Sequence, residues 1–258
     1  MSFSQYLRLI DVMARMALRA DATKFFLGYI WWVLEPLLFV AVFYFVFAVI
    51  MTTREPDFIL FLMTGKLAYV WFAKSVTQAS SSIVGSKGLV GQINVPKTLF
   101  PMAVVQEGMY KQAAVFAMLF TILLANGYSI TANWFYLVPL MLVNYVMIVA
   151  CAFAGACLVS VVRDFQPLIA LGMIFLMFTS GIFWDVNALG DPHKTELILA
   201  ANPLAFILDA YRQILMYETP PDMSHLLTIG AGFGAMICVM VLIMRRYSQF
   251  LALKALTA

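Results

Sequence analysis

Apolar residues in this chain fall into six long runs separated by short polar breaks. The runs cover about Tyr29–Met51, Phe58–Val76, Met102–Ala125, Phe135–Val162, Pro167–Phe183 and Leu226–Met244. Each lies near the roughly 20 residues that a helix needs to cross a hydrocarbon core, so the pattern predicts six transmembrane helices. The breaks fit that reading. Arg54, Glu55, Pro56 and Asp57 make a polar turn, Asn126 to Asn133 an uncharged one, and Arg163 with Asp164 a tight loop; Arg245, Arg246 and Tyr247 end the last run on a basic stop.

Three stretches do not span. Residues 4–20 carry Tyr6, Leu9, Ile10, Met13, Ala17 and Ala20 at helical period, with Arg8, Arg15 and Arg19 flanking the other face. This predicts an amphipathic helix within residues 1–26 that lies at the membrane interface. Residues 78–101 are rich in Ser, Gly, Lys and Pro and read as a polar loop with a short helix inside. Residues 184–225 form the longest connection. Within it, 202–218 is amphipathic with Pro203 at a favourable helix start; such a helix lies flat at the interface or dips in and returns.

Composition sets the class. The 258 residues are 64% hydrophobic and 11% charged, against about 25% charged in soluble domains. The chain is expected to be one all-α integral membrane domain over 1–258, with no room for a large soluble domain. The arginines of the first twenty residues argue against a cleaved leader. Lysine and arginine are unevenly shared between the two sides: Arg8, Arg15, Arg19, Lys24, Lys87, Lys97, Arg163, Arg245, Arg246 and Lys254 make ten on one, and Arg54, Lys194 and Arg212 make three on the other. The positive-inside rule then puts both termini and the 78–101 loop in the cytosol and 184–225 outside. Cys151, Cys157 and Cys238 all fall inside predicted spans and read as small buried residues.

No catalytic or metal-ligand constellation stands out. The phosphate-binding pattern G-x-x-x-x-G-K-[ST] is absent: Gly65–Lys66 comes nearest, but Leu60 stands at the first glycine position and Leu67 follows the lysine. The residues that invite a role are polar or aromatic groups inside spans. Gly28, Trp32 and Glu35 share one helix face. Glu35 reads either as a carboxylate paired with a cation of the interfacial helix or as a contact for a cargo headgroup. Lys66 reads either as a lysine tied to backbone carbonyls or acids in the bundle, or as a cation lining a polar conduit. Trp32, Tyr69, Trp71 and Phe72, with Tyr29 and Trp31, form either an interfacial belt or a slide of ring faces for sugar C–H surfaces. Glu107 and Lys111 stand at i and i+4 with the acid first, the favourable order for a pair. The apolar stretch 88–95 is placed to dock into a groove on a cytosolic partner.

Three collinear blocks resemble the permease subunits of type-two ABC exporters, in the branch that exports polysaccharides. They are KFFLGYIWWVLEP at 24–36; the Trp71–Phe72 pair, Gly88–Leu89–Val90 and the Pro96–Pro101 segment; and Arg163–Asp164 followed by Asn202–Pro203–Leu204 and Tyr211–Arg212. The resemblance implies a homodimer of this chain with two copies of a cytosolic ATPase that carries the ATP and Mg, so that this chain binds no cofactor and is not an enzyme. It implies a conduit from the first, second and fifth spans, involving Trp32, Glu35, Lys66, Tyr69, Trp71 and Phe72. A cytosolic gate would involve Arg15, Arg19 and Lys24, and a coupling helix in 78–101 would involve Ser86, Lys87, Gly88, Leu89, Val90 and Gln92. Two short re-entrant helices would lie near 185–200 and 202–218, and the cargo would be a lipid-linked polysaccharide such as O-antigen or capsule, at a bacterial inner membrane. Nucleic acid is not an expected partner. Where many members carry a Lys-Lys pair in the loop, this chain has Gly91–Gln92. The alternatives are an exporter of teichoic acid, small lipid or drug, a membrane glycan-processing enzyme, and an ion-coupled transporter. The last two lack, respectively, clustered polar groups at one face and an internal repeat.

Overall fold

The computed structural model describes residues 2–24, 26–50, 57–92 and 95–257, with side chains at 47–49, 90–92 and 257 outside that description. The predicted turn at Arg54, Glu55 and Pro56, the end of the first run at Met51, and Phe25 therefore fall outside the described residues. So do the side chains of Val90 and Gln92.

The described residues are helical throughout, with no strand. Helix α1 (Phe3–Ala22) opens on a reciprocal cap: Gln5 N–H donates to Ser2 Oγ and Ser2 N–H donates to Gln5 Oε1. A 3₁₀ turn, Gly28–Ile30, leads into α2 (Trp31–Tyr44), which ends in a wider π turn, Phe45–Ile50. Then follow α3 (Phe58–Ser80), the short α4 (Ser82–Gly85) and α5 (Lys87–Gln92), and α6 (Leu99–Ala125). A 3₁₀ turn, Ala132–Tyr136, precedes α7 (Leu137–Val161), and α8 (Phe165–Thr179) follows. The chain finishes with α9 (Pro192–Ala201), α10 (Pro203–Leu215), α11 (Met223–Arg246) and α12 (Ser248–Thr257).

Four helical stretches are long and apolar enough to cross a membrane: Phe58–Ser80, Leu99–Ala125, Ala132–Val161 and Met223–Arg246. Gly28–Tyr44 and Phe165–Thr179 are shorter apolar helices. Every predicted run is therefore helical over its described residues; the first changes from an α-helix to a π turn at Phe45, and the fifth ends at Thr179, before the predicted Phe183. The 78–101 segment holds two short helices where one was expected. Helix α12 was not anticipated at all; the basic stop at Arg245 and Arg246 hid it.

Helix α3 is the hub. It packs on α6, α7 and α10, and also on α2 and α8. Nearly its whole circumference is buried, which a membrane helix reaches only when other helices surround it. Helix α1 lies along α6. Helices α4, α5 and α12 cluster at the carboxyl end of α3, and α10, with α9 against it, meets the opposite end. Helix α10 does not lie flat on a surface. Asn202 caps it by accepting from Leu204 N–H and Ala205 N–H at 3.1 and 3.2 Å, and it then runs buried against α3 and α7 from Leu204 to Arg212.

One side chain holds that buried helix in place. Arg212, grouped by its sequence position with the outward-facing charges, is 1% exposed. Its Nη1 donates to Gly181 O at 2.6 Å, its Nη2 to Ile182 O at 3.1 Å and its Nε to Phe61 O at 3.3 Å, while its guanidinium lies 3.5 Å over the Phe61 ring. Two glycines make room. A Cβ on Gly65 would collide with the Arg212 guanidinium. Gly181 sits at φ +70°, where a side chain would also meet Val186 at 2.7 Å, so the turn after α8 needs glycine for both reasons. The guanidinium thereby ties α10 to the start of α3 and the end of α8.

Candidate functional site

The sequence-predicted polar residues separate into two places on opposite sides of α3. Helical geometry explains the division. At about 100° per residue, Lys66 and Tyr69 lie close around the axis, and Trp71 points well away from both.

The first place is the seam of α2, α3 and α8. The Lys66 ammonium is 4% exposed and lies 4.1 Å over the Phe39 ring, 5.2 Å from that of Tyr69 and 5.7 Å from that of Phe43. Its Nζ donates to Met177 Sδ at 3.1 Å. Among the described residues neither a carbonyl nor an acid holds it, contrary to the structural alternative read from the sequence; aromatic faces do. The Tyr69 hydroxyl donates to Met173 O, which fastens α3 to α8. Phe72 is buried in the core of the bundle.

The second place is a cavity of about 280 Å³ between α2, α3, α6 and the end of α1. Its α3 wall is Leu67, Val70, Trp71, Lys74, Ser75 and Gln78, one stripe at i, i+3, i+4 spacing. Gly108, Lys111, Gln112 and Val115 make the matching stripe on α6, and Trp31, Trp32, Glu35 and Pro36 close the α2 side. Pro36 cannot donate to the Trp32 carbonyl, which loosens α2 beside the cavity. Trp71 packs edge-on against Phe116 and beside Tyr145. Its indole N–H is buried with no hydrogen-bond partner among the described residues.

Ion pairs ring this cavity. Glu35 pairs with Lys74 at 2.6 Å. The reading that assigned it a cation of the interfacial helix is corrected: its partner lies one span away, 39 residues along the chain. Lys111 pairs with Glu107 at 2.8 Å, as their spacing predicts, and also with Asp21 at 2.7 Å. Trp32 Nε1 donates to Asp21 Oδ2 at 3.3 Å, and the Lys111 ammonium stands 5.4 Å over the Trp32 ring. Asp21 thus links α1, α2 and α6. The sequence reading passed over it, although a carboxylate at the end of an arginine-rich helix just before an aromatic run was a visible signal.

Three further contacts hold α1 to α6. Ile10 and Ala14 bury their side chains, the Tyr6 hydroxyl donates to Thr98 Oγ1 at 3.0 Å, and the Tyr110 hydroxyl donates to Asp11. The predicted gate residues lie on the outside of this joint. Arg15 pairs with Asp11 at 3.0 Å, Lys24 with Asp21 at 3.7 Å, and Arg19 is exposed. Of the predicted coupling residues, Lys87, Gly88 and Leu89 are exposed and Ser86 is half-buried.

Burial pushes the Asp21 carboxyl up, but the Lys111 ammonium and the Trp32 indole N–H outweigh it and hold it below the usual carboxylate range. A depressed folded pKa contributes stability that is present above the unfolded value, about 3.9, and lost as pH falls through the folded one. Spin labels on Met16→Cys and Met109→Cys, both exposed positions, are therefore expected to keep one narrow distance from neutral pH down to about 4 and to broaden below it. Asp21→Asn is expected to broaden the distribution at neutral pH. A variant as narrow as wild type would show that the ion pair does not hold α1.

A family profile, that of the ABC-2 type transporters, matches residues 12–216. The chain belongs to the ABC-2 type transporter family. Three similar proteins carry the name O-antigen export system permease protein RfbA. One from Klebsiella pneumoniae is 26% identical over 216 residues, covering 82% of this chain and 81% of the relative. A second from that organism is 25% identical over 194 residues, 73% of each chain. One from Myxococcus xanthus is 24% identical over 227 residues, covering 88% of this chain and 87% of the relative. Membership makes this chain a multi-pass transport permease and implies an ABC ATPase partner. The family match takes in α8, α9, α10 and both places described above; α11 and α12 lie beyond it.

Proposed function

We propose that this ABC-2 permease is the membrane subunit of an ATP-driven exporter of lipid-linked polysaccharide, O-antigen or capsule, across a bacterial inner membrane. The observation that carries the proposal is the likeness, over most of the chain, to three permeases named for O-antigen export. The permease works as a homodimer with two copies of a cytosolic ATPase that binds ATP and Mg, and this chain binds no cofactor of its own. Helices α2, α3, α6, α7, α8 and α11 are the six spans, and α9 and α10 are the re-entrant pair. Lys97 and Arg212 are buried, which takes one basic residue from each side of the count and leaves the bias in place. This supports cytosolic termini.

Dimer formation is supported by α2 and α8, which turn apolar side chains outward: Leu38, Val42 and Phe45 on one, Leu171, Ile174 and Phe175 on the other. The conduit runs along these helices, beside Lys66 and Tyr69. ATP-driven closure of the ATPases pushes on α4 and α5, and motion passes through α3 and through the α1–α6 joint into α2 and α8. The cargo is amphiphilic, and a seam that offers ring faces and one cation lets hydroxylated units slide without being gripped.

The test is to delete the gene and locate the glycan. Loss of surface polysaccharide, with lipid-linked glycan accumulating on the cytosolic leaflet, is the expected result. Loss without intracellular glycan would indicate a role in synthesis, and an unchanged surface would indicate export of a small lipid or drug; either overturns the proposal.

A further inference from the structure

The cavity between α2, α3 and α6 has a composition that a sliding conduit does not need. Its α3 wall runs from Gln78, near the helix end, to Leu67, about three turns farther in. Lys74 and the Gln78 amide stand toward the helix end, the Gln112 amide meets Leu67 at the inner end, and Leu67, Val70 and Val115 supply the apolar part. Its volume, about 280 Å³, lies at the small end of ligand pockets, which suits one ring and not a passing polymer.

The charges around it are already matched. Glu35 is paired with Lys74, and Lys111 is shared by Glu107 and Asp21. With Lys24, which also reaches Asp21 at 3.7 Å, three carboxylates face three ammonium groups, so the rim has no surplus cation for a phosphate. What remains are partly satisfied donors and acceptors mixed at short range. The Trp71 N–H is buried and unpartnered among the described residues; Gln112 donates through Nε2 to Leu67 O at 3.3 Å, leaving its carbonyl oxygen as an acceptor. Ser75 and Gln78 add a hydroxyl and an amide. Gly108 keeps that space open, since a Cβ there would strike the Ser75 hydroxyl. Indole rings beside mixed donors and acceptors, with no net attraction for an anion, suit a ring with apolar C–H faces and hydroxyl edges.

We infer that this cavity, inside a single protomer and separate from the seam at Lys66, is a capture site for one neutral sugar residue of the exported glycan. The inference rests on the proposed function. The Trp71 N–H donates to a sugar oxygen, the Gln112 carbonyl and Gln78 amide take the hydroxyl edge, and the indoles of Trp31 and Trp32 cover a ring face. Holding one residue here loads the glycan before it enters the conduit.

The test uses the full permease–ATPase complex in nanodiscs. Two probes are titrated: oligosaccharide released by mild acid from the producing strain's own surface polysaccharide, and a polyprenyl phosphate that bears no sugar. Trp71→Phe keeps one aromatic ring and removes the N–H together with the five-membered ring that carries it, and is expected to weaken oligosaccharide binding about tenfold or more, at least the effect of one buried hydrogen bond, with polyprenyl phosphate unaffected. Gln78→Leu, at an exposed rim position, carries no folding risk and is expected to weaken the oligosaccharide several-fold. Unchanged oligosaccharide binding in Gln78→Leu and in folded Trp71→Phe would overturn the site. Equal weakening of both probes would reassign it to the lipid phosphate and overturn the sugar. A wild-type complex that exports polysaccharide in cells yet binds no oligosaccharide would sink the capture site alone and leave the proposed function standing.

Discussion

Arg212→Leu is expected to leave little folded protein to extract. The substitution removes three hydrogen bonds at once and strands the carbonyls of Gly181 and Ile182 in a buried position, while Phe61 O keeps the Thr64 hydroxyl. Each orphaned buried group costs about 1–3 kcal/mol, so the sum takes a large share of the 5–15 kcal/mol that holds a typical domain folded. Arg212→Lys is expected to recover little, because a compact ammonium lacks the planar fork that reaches three carbonyls on two separate segments. Gly65→Ala attacks the same joint from the other side by pushing a methyl group into the guanidinium, and a cost of about 1–3 kcal/mol is expected for such overpacking. Size-exclusion profiles and thermal unfolding in detergent check all three. An Arg212→Leu protein that melts like wild type would show that α10 is held by its apolar contacts alone.

The second large effect falls on transport. Lys66→Met is expected to fold normally and to cut surface polysaccharide about tenfold or more, while Lys66→Arg keeps most of it. Methionine nearly preserves the volume, so the packing among Phe39, Phe43 and Tyr69 survives, and what disappears is a cation–π contact of about 0.5–2 kcal/mol. Lys66→Glu is expected to abolish export, since a carboxylate would face the negative faces of the same rings. Surface blots at matched permease levels are the measurement. Full export by Lys66→Met would remove this lysine from the conduit.

What could be read from the sequence was what is local along the chain. Long apolar runs located the apolar helices, Asn202–Pro203 marked the start of α10, and the Glu107–Lys111 spacing announced its ion pair. The partners of Glu35 and Lys66 were not legible, because they are set by which helix stands beside which. Lys74 lies 39 residues from Glu35, and Met177 lies 111 residues from Lys66. Arg212 was misplaced for the same reason: its carbonyl partners are 30, 31 and 151 residues away, and a positive charge in an amphipathic segment looks like a surface residue until they are known. The cavity was partly visible, as the stripe of Lys74, Ser75 and Gln78 along α3 and of Gly108, Lys111 and Gln112 along α6. Neither stripe means much until the two faces meet.

Helix α12 has a consequence for the order in which the protein is made. It buries Leu251 and Ala255 and packs against α4, α5 and α7, so residues synthesised after α11 support helices made far earlier. While the ribosome is still working on the final span, residues 82–92 lack one of their supports. Their packing is completed only when α12 has left the exit tunnel. A chain cut before α12 would therefore carry all the helices from α1 to α11 and still present an unfinished surface beside α5. Under the proposed function that is the face the ATPase must recognise, so incomplete permeases would be passed over before any ATP is spent on them.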